Sequence, residues 1–488
     1  MSKDEIIAQK DDVISALSDE NAQLKFRLSQ LERLIFGKKS ERWISDNIAD
    51  PEQLVLFEQE AAEEASPAKE DISYSRSKPQ KVHPGRQPLP DHLPVKEVII
   101  EPKEDVSGMT RIGEEITDTL DYIAASLTII RTIRPKYARP SGDGIVIGKL
   151  PERPIEKGIA EAGLLAHVIV SKFIDHMPFY RQNQRFQRDF KLKVSESTIN
   201  DWFVSVCTLM KPLHEELLRS IFSSDYIQAD ESPIRVLDKD KSGSTHQGYQ
   251  WVYHAPVLKR VAFQYRKGRG MHGPKEWLSN HQGYVQCDGW KVYDGMSNKN
   301  PSMILIGCLA HTRRKYFDAE KMDPRASEVL KLIQRIYQIE RELGSASLPA
   351  DQYKAERQNQ MQPIFDEWQL WMEENEHCIL PKSPLGKAIV YTRHQWTKLE
   401  RILEDHRFLL DNNLIENMIR PLALGRKNYL FAGSHPAAER IAMMYSFFGT
   451  CKLCDINPND WLKDTLSKLP QWPINRIAEL LPRPKDLS

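Results

Sequence analysis

The chain is poor in cysteine, has no long apolar run and carries no excess of either charge. Its 488 residues include 6 cysteines, the first of them Cys207, which is too few for the disulfide framework of a small secreted domain. No stretch approaches the roughly 18 consecutive apolar residues that indicate a membrane-spanning helix. The N-terminal segment MSKDEIIAQKDD also lacks the apolar centre of a secretory signal. These absences predict a cytoplasmic protein.

The balance of charge argues against a uniformly basic nucleic-acid-binding protein. The 68 basic and 68 acidic residues cancel, whereas nucleic-acid-binding domains often have a basic excess. The distribution is less even, because acidic residues are concentrated in 46–71 and basic residues in 259–275 and 313–315. Local basic patches steer DNA even when the total charge is zero, so DNA stays a candidate partner, with the nucleoid as the expected location.

One cysteine motif resembles a metal site, the lone CxxC of Cys451 and Cys454. A structural zinc ion needs four ligands, and the neighbouring sequence supplies neither a second pair nor histidines. We interpret this spacing as chance within a helix.

At 488 residues the chain is too long for one core, and the patterns predict a multidomain α+β protein. Residues 1–44 carry a heptad pattern with Leu17, Leu24 and Leu31 at d positions. The predicted dimerisation residues are Ile14, Leu17, Asn21, Leu24, Leu28 and Leu31. An asparagine at an a position costs stability but sets a parallel dimer in register, so we predict an N-terminal coiled coil. The alternative is one amphipathic helix packed on its own chain.

The next three regions differ in composition. Residues 45–94 are acidic and rich in alanine, proline and serine, which is typical of a linker. Residues 95–155 alternate β-branched and polar residues between glycines and prolines, which predicts a small β-rich module.

Residues 156–222 predict a helical, helix-turn-helix-like DNA-binding region, with Ser195 as the N-cap of its second helix. Short helical hairpins also occur in proteins that bind no DNA. The predicted DNA contacts here are Arg181, Arg185, Thr198 and Asn200.

Residues 223–320 change pattern again. Three strand-length runs, a short helix, a fourth strand and a buried apolar strand follow one another. That order is the one of a ribonuclease-H-like α/β core. Asp230 lies in the first of these strands and Asp288 at the end of the fourth. In such a sheet these two strands are neighbours, so the two carboxylates are expected to lie close together.

A third carboxylate is expected from the segment DNNLIENMIRPLAL. Its predicted apolar stripe is Leu414, Ile415, Met418, Ile419 and Leu422, and Asp411 to Asn413 would cap the helix. Glu416 then points towards the two aspartates, with Arg420 one turn further on.

The 128 residues between Asp288 and Glu416 (416 − 288) are too many for a simple connection. Residues 321–405 therefore predict a helical insertion, with Trp368, Trp371 and Trp396 as its core. Residues 406–450 complete the catalytic core, and 451–488 form a helical tail.

Three carboxylates at this position suit two-metal cleavage and joining of phosphodiesters. Two Mg²⁺ ions about 4 Å apart activate the attacking oxygen and stabilise the leaving one, and Mg²⁺ prefers oxygen ligands. With 68 acidic residues, spacing alone proves little. The argument depends on Asp230 and Asp288 interrupting apolar strands, where an unpaired charge is costly. Glu231 is the competing candidate, but it points to the opposite face of the strand.

Basic residues flank the predicted core. The first set, directly after the buried strand, is His311, Arg313, Arg314 and Lys315. The second set is Arg420, one turn after Glu416, with Arg426 and Lys427, which follow the Glu416 helix. These side chains are predicted to bind DNA phosphates; the alternative is a solvated, charge-balanced face.

Several long segments resemble the large transposase of the insertion-sequence-66 family over nearly the whole chain. They include GRQPLPDHLP, DHMPFYRQNQRF, ADESPIRVL, VQCDGW, GCLAHTRRKYFDA and DNNLIENMIRPLALGRKNYLFAGS. The resemblance implies a DDE-type enzyme whose catalytic and metal-binding residues are Asp230, Asp288 and Glu416, with two Mg²⁺ ions or Mn²⁺. It also implies double-stranded DNA partners, both element ends and target, and small accessory proteins of the same element.

The chain departs from that family in its β-rich module. The family typically carries two cysteine pairs there, whereas this sequence reads EDVSGMTRIGEE and RPKYARPSGDG. Without thiolates the module has no ligands of that kind for zinc, so we predict no zinc. A catalytically silent dimeric DNA-binding regulator is the main alternative function. A structure-specific nuclease would use the same chemistry. That function explains neither the predicted N-terminal coiled coil nor the helical insertion.

Overall fold

The computed structural model describes residues 127–133, 136–138, 145–147, 152–238 and 244–484. The predicted coiled coil, the linker and most of the β-rich module lie outside these residues. The described part falls into two compact units, divided between Gly148 and Lys149.

The N-terminal unit contributes two short strands, β1 (Lys136–Ala138) and β2 (Ile145–Ile147). They pair antiparallel, with Tyr137 opposite Val146. Residues 127–133 precede them as exposed, irregular chain. Both strands fall within the predicted β-rich module.

The larger unit begins with three helices. They are α1 (Ala162–Phe173), α2 (Phe179–Phe190) and α3 (Glu196–Phe222). Ser195 caps α3 as the sequence predicts, because its hydroxyl accepts the backbone N–H of Thr198 at 3.0 Å. The helix is longer than a helix-turn-helix element requires. A buried stripe extends along its whole length and includes Ile199, Phe203, Val206, Met210, Leu213, Leu217 and Ile221.

A five-stranded mixed sheet follows. Its strands are β3 (Tyr226–Leu237), β4 (Thr245–Ala255), β5 (Arg260–Arg266), β6 (Gly283–Gln286) and β7 (Met303–Ile306). Their order across the sheet is β5-β4-β3-β6-β7. The first three strands form an antiparallel meander, whereas β6 pairs parallel to β3 and β7 parallel to β6. The strands that carry or precede Asp230 and Asp288 are therefore neighbours, in agreement with the prediction.

Helices surround this sheet and fill the rest of the chain. Between and after the last strands lie α4 (His272–Leu278), α5 (Lys291–Ser297) and α6 (Leu309–Glu320). The predicted helical insertion contains α7 (Ala326–Ser345), α8 (Ala350–Glu376), α9 (Pro384–Glu400) and a 3₁₀ turn at Arg401–Glu404. The C-terminal part contains α10 (Asn413–Tyr429), α11 (His435–Leu453), α12 (Pro458–Lys468) and 3₁₀ turns at Leu469–Gln471 and Ile474–Leu480.

Two apolar cores hold these layers together. One joins α1, α3, α10 and α11 to the sheet, and the other joins β7 and α6 to the insertion. Trp368 and Trp371 are buried in the second core and Trp396 packs against it, as predicted. None of the described helices is long and apolar enough to cross a membrane.

The exposed edge of the sheet is covered by α11. Strand β5 is the edge strand, and unpaired edge groups would otherwise invite further strand pairing. The hydroxyls of Ser446 and Thr450 accept the backbone N–H groups of Phe263 (2.7 Å) and Val261 (3.2 Å). Helix α11 thus satisfies the edge with side chains and closes this side of the sheet.

Candidate active site

Asp230 and Glu231 occupy adjacent positions of β3, opposite Val252 and Trp251 of β4. Both residues are half-buried. Oδ1 of Asp230 accepts the backbone N–H of Glu231 at 2.8 Å. Because successive side chains of a strand alternate between its faces, the two carboxylates leave the strand on opposite sides.

Asp288 lies two residues beyond the end of β6, so the strand is shorter than the sequence suggests. Its Oδ1 accepts the backbone N–H of Trp290 at 3.0 Å. The ring centre of Trp290 lies 5.5 Å from that of Trp251, and Trp251 is the residue of β4 that lies opposite Glu231. These contacts hold the turn after β6 against the sheet.

Glu416 lies in the first turn of α10 and is half-buried. Ile415, Met418, Ile419 and Leu422 are buried as predicted. Leu414 is 42% exposed, so its place in the stripe was wrong. The stripe faces β3 and α11, and Leu414 points away from both.

The predicted cap of this helix at Asp411 to Asn413 is confirmed, with Asp411 supplying the hydrogen bond. The N-cap residue is Asn412, whose side chain makes no capping hydrogen bond. Instead Oδ1 of Asp411 accepts the backbone N–H of Asn413 at 2.9 Å, while its Oδ2 accepts the hydroxyl of Tyr337 at 2.6 Å. Asp411 therefore ties the start of α10 to the helical insertion.

Electrostatics join Asp230 and Glu416. Burial raises the pKa of Asp230 to about 8, with further increases from the charges of Glu231 and Glu416 and a decrease from His311. Burial also raises the pKa of Glu416, and His311, Arg314 and Asp411 act on the same carboxyl group. Desolvation and like charges both disfavour a carboxylate, so on this side of β3 they favour the protonated form of these acids.

On the opposite side of β3, Glu231 forms an ion pair with Arg269. Nε and Nη2 of Arg269 lie 2.7 and 2.6 Å from Oε1 of Glu231, and the Arg269 guanidinium lies 4.9 Å from the ring centre of Trp290. Burial raises the pKa of Glu231, as does the nearby charge of Asp288, whereas Arg269 lowers it. Asp288 thus interacts with Glu231 and Arg269, while Asp230 interacts with Glu416.

Within the described ranges, no group of three or more His, Cys, Asp or Glu side chains is arranged to hold a metal ion. The structure brings Asp230 and Glu416 within electrostatic reach of each other. It places Asp288 at the neighbouring strand end, beside Glu231.

His311 is more central than its predicted role as a phosphate contact suggested. It lies in the first turn of α6, and its charge lowers the pKa of Asp230, Glu231, Asp411 and Glu416. Its Nδ1 atom is buried without a hydrogen-bond partner. The sequence signal was its place directly after the buried strand β7.

A buried polar network connects the sheet to the loop before α10. Tyr226 OH and Gln228 Nε2 both donate to Oε1 of Gln286, at 2.6 and 2.9 Å. Gln286 donates to the carbonyl of Leu409 (2.7 Å) and Gln228 to that of Asp411 (2.9 Å). Unpaired buried polar groups are costly, so this network sets the position of the loop and hence of Glu416.

His254 closes the network and gives it a pH dependence. Its Nδ1 donates to Oε1 of Gln228 at 2.8 Å, and burial lowers the pKa of His254 to about 4. In the unfolded chain the pKa of this histidine is about 6.5. The unfolded chain therefore binds the proton more readily, and a lower pH favours unfolding. The contribution of neutral His254 to the free energy of unfolding is complete above about pH 6.5. It is lost as the pH falls towards 4, by up to about 1.4 kcal/mol per pH unit.

We therefore expect His254→Gln to have a shallower fall in the free energy of unfolding between pH 6.5 and 4.5 than the wild type. Urea titrations at several pH values measure this slope. His394 lies exposed on α9, and His394→Gln is the matched control that should keep the wild-type slope. Equal slopes for all three proteins would contradict the assignment.

The remaining predicted DNA contacts are dispersed around the core. Arg181 and Arg185 lie on the outer face of α2, and Asn200 is exposed near the start of α3. The hydroxyl of Thr198 is hydrogen-bonded to Ser195, at 2.7 Å. The other basic residues lie on two helices: Arg313, Arg314 and Lys315 on α6, and Arg420, Arg426 and Lys427 on α10.

Lys315 and Arg426 contact a tyrosine ring and a strand carbonyl. The Lys315 ammonium lies 5.7 Å from the ring centre of Tyr391, and the Arg426 guanidinium donates to the carbonyl of Pro233.

The CxxC pair has ordinary structural partners. Cys451 is buried in α11, and the Sγ of Cys454 lies 3.6 Å from the carbonyl oxygen of Lys259. Burial raises the pKa of both thiols, which disfavours the thiolate that a metal requires.

Comparison with protein families gives three matches along the chain. The model of the transposase IS66 family matches residues 157–440, more than half of the chain. A model described as transposase C of IS166 homeodomain matches residues 23–98, and the IS66 C-terminal element matches residues 446–482.

Three similar proteins come from Sinorhizobium fredii (strain NBRC 101917 / NGR234), and each is named an uncharacterized protein. The protein y4jD is 33% identical over 417 residues, which cover 81% of this chain and 81% of the relative. The protein y4hP is 28% identical over 94% of this chain and 88% of its own length. The protein y4qI is 29% identical over 98% of this chain and 91% of its own length.

Proposed function

The chain belongs to the IS66 family of transposases, and on that basis we propose that it is a DDE transposase that cuts the ends of a mobile element and joins them to target DNA. The proposed catalytic and metal-binding residues are Asp230, Asp288 and Glu416. The observation that carries this proposal is the electrostatic interaction of Asp230 on β3 with Glu416 on α10, next to the end of the neighbouring strand β6, where Asp288 follows.

The sheet supports a ribonuclease-H-like core for this chemistry. An antiparallel meander followed by two parallel strands, in the order β5-β4-β3-β6-β7, is the arrangement expected for that fold. The insertion α7–α9 then interrupts the core between its second and third acids. The third acid returns on α10, packed against β3.

The residues present fit divalent metal ions. Carboxylate oxygens are the ligands that Mg²⁺ and Mn²⁺ accept. The raised pKa values of Asp230 and Glu416 reflect acids whose burial and mutual repulsion a cation would relieve. Oε2 of Glu231 is buried and lacks a hydrogen-bond partner. When bound, two such ions supply activation of the attacking oxygen and stabilisation of the leaving oxygen.

The chain's own cations complete the proposed site. His311 and Arg314 offset the negative charge around Glu416, and we propose that they bind the reacting phosphate. Arg313, Lys315, Arg420, Arg426 and Lys427 would bind phosphates on either side and give salt-dependent affinity. Thr198 and Asn200, at the start of α3, are proposed contacts to DNA as well.

The regions outside the described residues have proposed roles in assembly. Residues 1–44 would associate two copies through the coiled coil. The match at residues 23–98 supports a DNA-binding role for this end of the chain. Small accessory proteins of the same element are the other proposed partners, and no zinc is expected in residues 95–155.

A catalytically silent regulator that binds element ends is the second candidate. One observation favours it, because the described acids do not form a ready group of three metal ligands. The same observation is compatible with an enzyme whose acids close around metal and DNA together, since catalytic contacts often tighten only in the complex.

Transposition in cells separates these two functions. A marked element that lacks its own transposase gene is supplied with this chain, with the accessory genes of the element present. The proposal predicts insertion of the marker at new sites, and loss of insertion with Asp288→Asn. Repression of the element promoter without any insertion would support the regulator instead.

A further inference from the structure

A basic cleft lies at the junction of α2 and α10. It is a cavity of about 410 Å³. Its lining includes Arg181, Gln184, Arg185 and Arg188 of α2, His176 of the preceding loop and Asn428 of α10. The cleft thus joins the helical region to the helix that carries Glu416.

The cleft is held rigidly by buried contacts. Gln182, 2% exposed, donates to the carbonyls of Val168 (3.0 Å) and Met177 (2.9 Å), which fixes α2 on the end of α1. His176 adopts a left-handed backbone conformation with φ 52°. A Cβ atom at Gly425 would lie 3.5 Å from Nδ1 of His176 and 2.5 Å from the hydroxyl of Tyr445. Glycine therefore lets the hydroxyl of Tyr445 on α11 approach α10 closely, while His176 is in ordinary contact with the same position.

Positive charge dominates the lining. Arg181, Arg185 and Arg188 are spaced i, i+4 and i+7, so they share one face of α2. Asp189 pairs with Arg185 at 3.4 Å and with Arg188 at 2.7 Å, and Asp175 is the other acid nearby. Exposed ion pairs of this kind are weak. A phosphate can therefore replace them, with better geometry for an arginine fork.

Other cations lie on the two helices next to α2 and the cleft, α1 and α10, outside the lining itself. The Lys172 ammonium lies 4.2 Å from the ring centre of Phe179. Arg426 and Lys427 are in the last turn of α10, beside Asn428. Lysine, arginine and amide side chains are typical contacts to the DNA backbone.

We propose that this cleft binds the phosphate backbone of the double-stranded DNA that the active site processes. The inference deepens the proposed function and rests on it. Glu416 and Asn428 are 12 residues apart on one helix, about 18 Å at 1.5 Å per residue. For a duplex that runs along α10, at 3.4 Å per base pair, the bound phosphates then lie about five base pairs from the reacting one. The cleft sets the register of the duplex and reads no sequence.

The first test measures binding without any need for cleavage. A fluorescein-labelled 40-base-pair duplex of arbitrary sequence is titrated with full-length protein at several KCl concentrations. In the triple variant Arg181→Ala, Arg185→Ala, Arg188→Ala the log–log salt slope should be shallower by about two to three units, at about 0.9 per phosphate contact. We expect at least tenfold weaker binding at low salt.

A matched variant controls for loss of charge in general. Lys331, Arg335 and Arg341 are exposed on α7, and their triple alanine variant should keep the wild-type slope. The proposal would be overturned if the α2 variant kept the wild-type salt slope, or if the salt slope changed equally in both variants. Competition by polyglutamate as effective as by DNA would also overturn it, in favour of an acidic protein segment.

The second test locates the contact. Single neutral methylphosphonates are placed along an element-end duplex. Affinity of the wild type should fall at least threefold for positions about five base pairs from the cleaved bond. The α2 variant should show no further loss at those positions and should keep the wild-type losses at all others. Loss at other positions only, or equal loss in the variant, would exclude the cleft. Absence of DNA cleavage by the wild type would count against the proposed function, while the salt slopes still test the cleft.

Discussion

Replacing Asp288 with asparagine is expected to lower the rates of DNA cleavage and joining at least about a thousandfold, a loss of about 4 kcal/mol of transition-state stabilisation. Asparagine keeps the size of the side chain and its contact with the backbone of Trp290, but it removes the negative charge that a divalent cation needs. Asp230→Asn and Glu416→Gln should have effects of the same size. Single-turnover assays with labelled end duplexes measure the rates, and anisotropy should show DNA affinity within about threefold of the wild type.

Glu231→Gln is the matched control for this series. Glu231 adjoins Asp230 on β3 and interacts electrostatically with Asp288, but Arg269 already pairs with it. We expect its cleavage rate to fall by less than about tenfold, 1.4 kcal/mol. A severe loss with Glu231→Gln together with a mild loss with Asp230→Asn would assign the metal to the opposite face of β3. Thermal unfolding of each variant excludes misfolding as the cause.

Arg357→Ala is expected to destabilise the protein by about 3–5 kcal/mol, the usual effect of removing one partner from a buried ion pair. Arg357 is 1% exposed and pairs with Glu340 of α7 through two nitrogens. Its other N–H groups donate to the carbonyls of Ile402 (3.1 Å), Asp405 (3.0 Å) and Phe408 (2.9 Å). Alanine leaves one half-buried carboxylate and three carbonyls without this donor.

The loss should reach the active site, because the three carbonyls belong to the loop that leads into α10. Urea denaturation gives the change in free energy of unfolding, and Arg357→Lys should recover only part of it, since lysine has no planar fork. Arg335→Ala, at an exposed pair with Glu367 on the same insertion, should cost no more than about 0.5 kcal/mol. A change below about 1 kcal/mol for Arg357→Ala would contradict the role of this network.

Local patterns were sufficient to predict the elements of the core. The β-branched runs around Asp230 and the apolar run before His311 became β3 and β7. Ser195 caps α3 as expected, because a serine hydroxyl satisfies an N–H at a helix start whatever the tertiary context. The adjacency of β3 and β6 followed from element order, since chain connectivity leaves few arrangements of such a sheet.

Long-range polar contacts were beyond the reach of those patterns. The Tyr226–Gln228–Gln286 network has no sequence periodicity, and its partners are more than a hundred residues away, at Leu409 and Asp411. Leu414 was assigned to the apolar stripe because spacing alone does not show which neighbour a helix face meets. The pairing of Glu231 with Arg269 depends on the loop after β5 returning to β3, which composition does not reveal.

Strand transfer with purified components tests the central claim most directly. The chain, with the accessory proteins of its element, is incubated with a labelled end duplex, a supercoiled target plasmid and Mg²⁺, and the products are sequenced. The account predicts end strands joined covalently to plasmid DNA, with no products when EDTA is added or when Asp288→Asn replaces the wild type. End DNA that is bound but neither cut nor joined, in Mg²⁺ and in Mn²⁺, would contradict it.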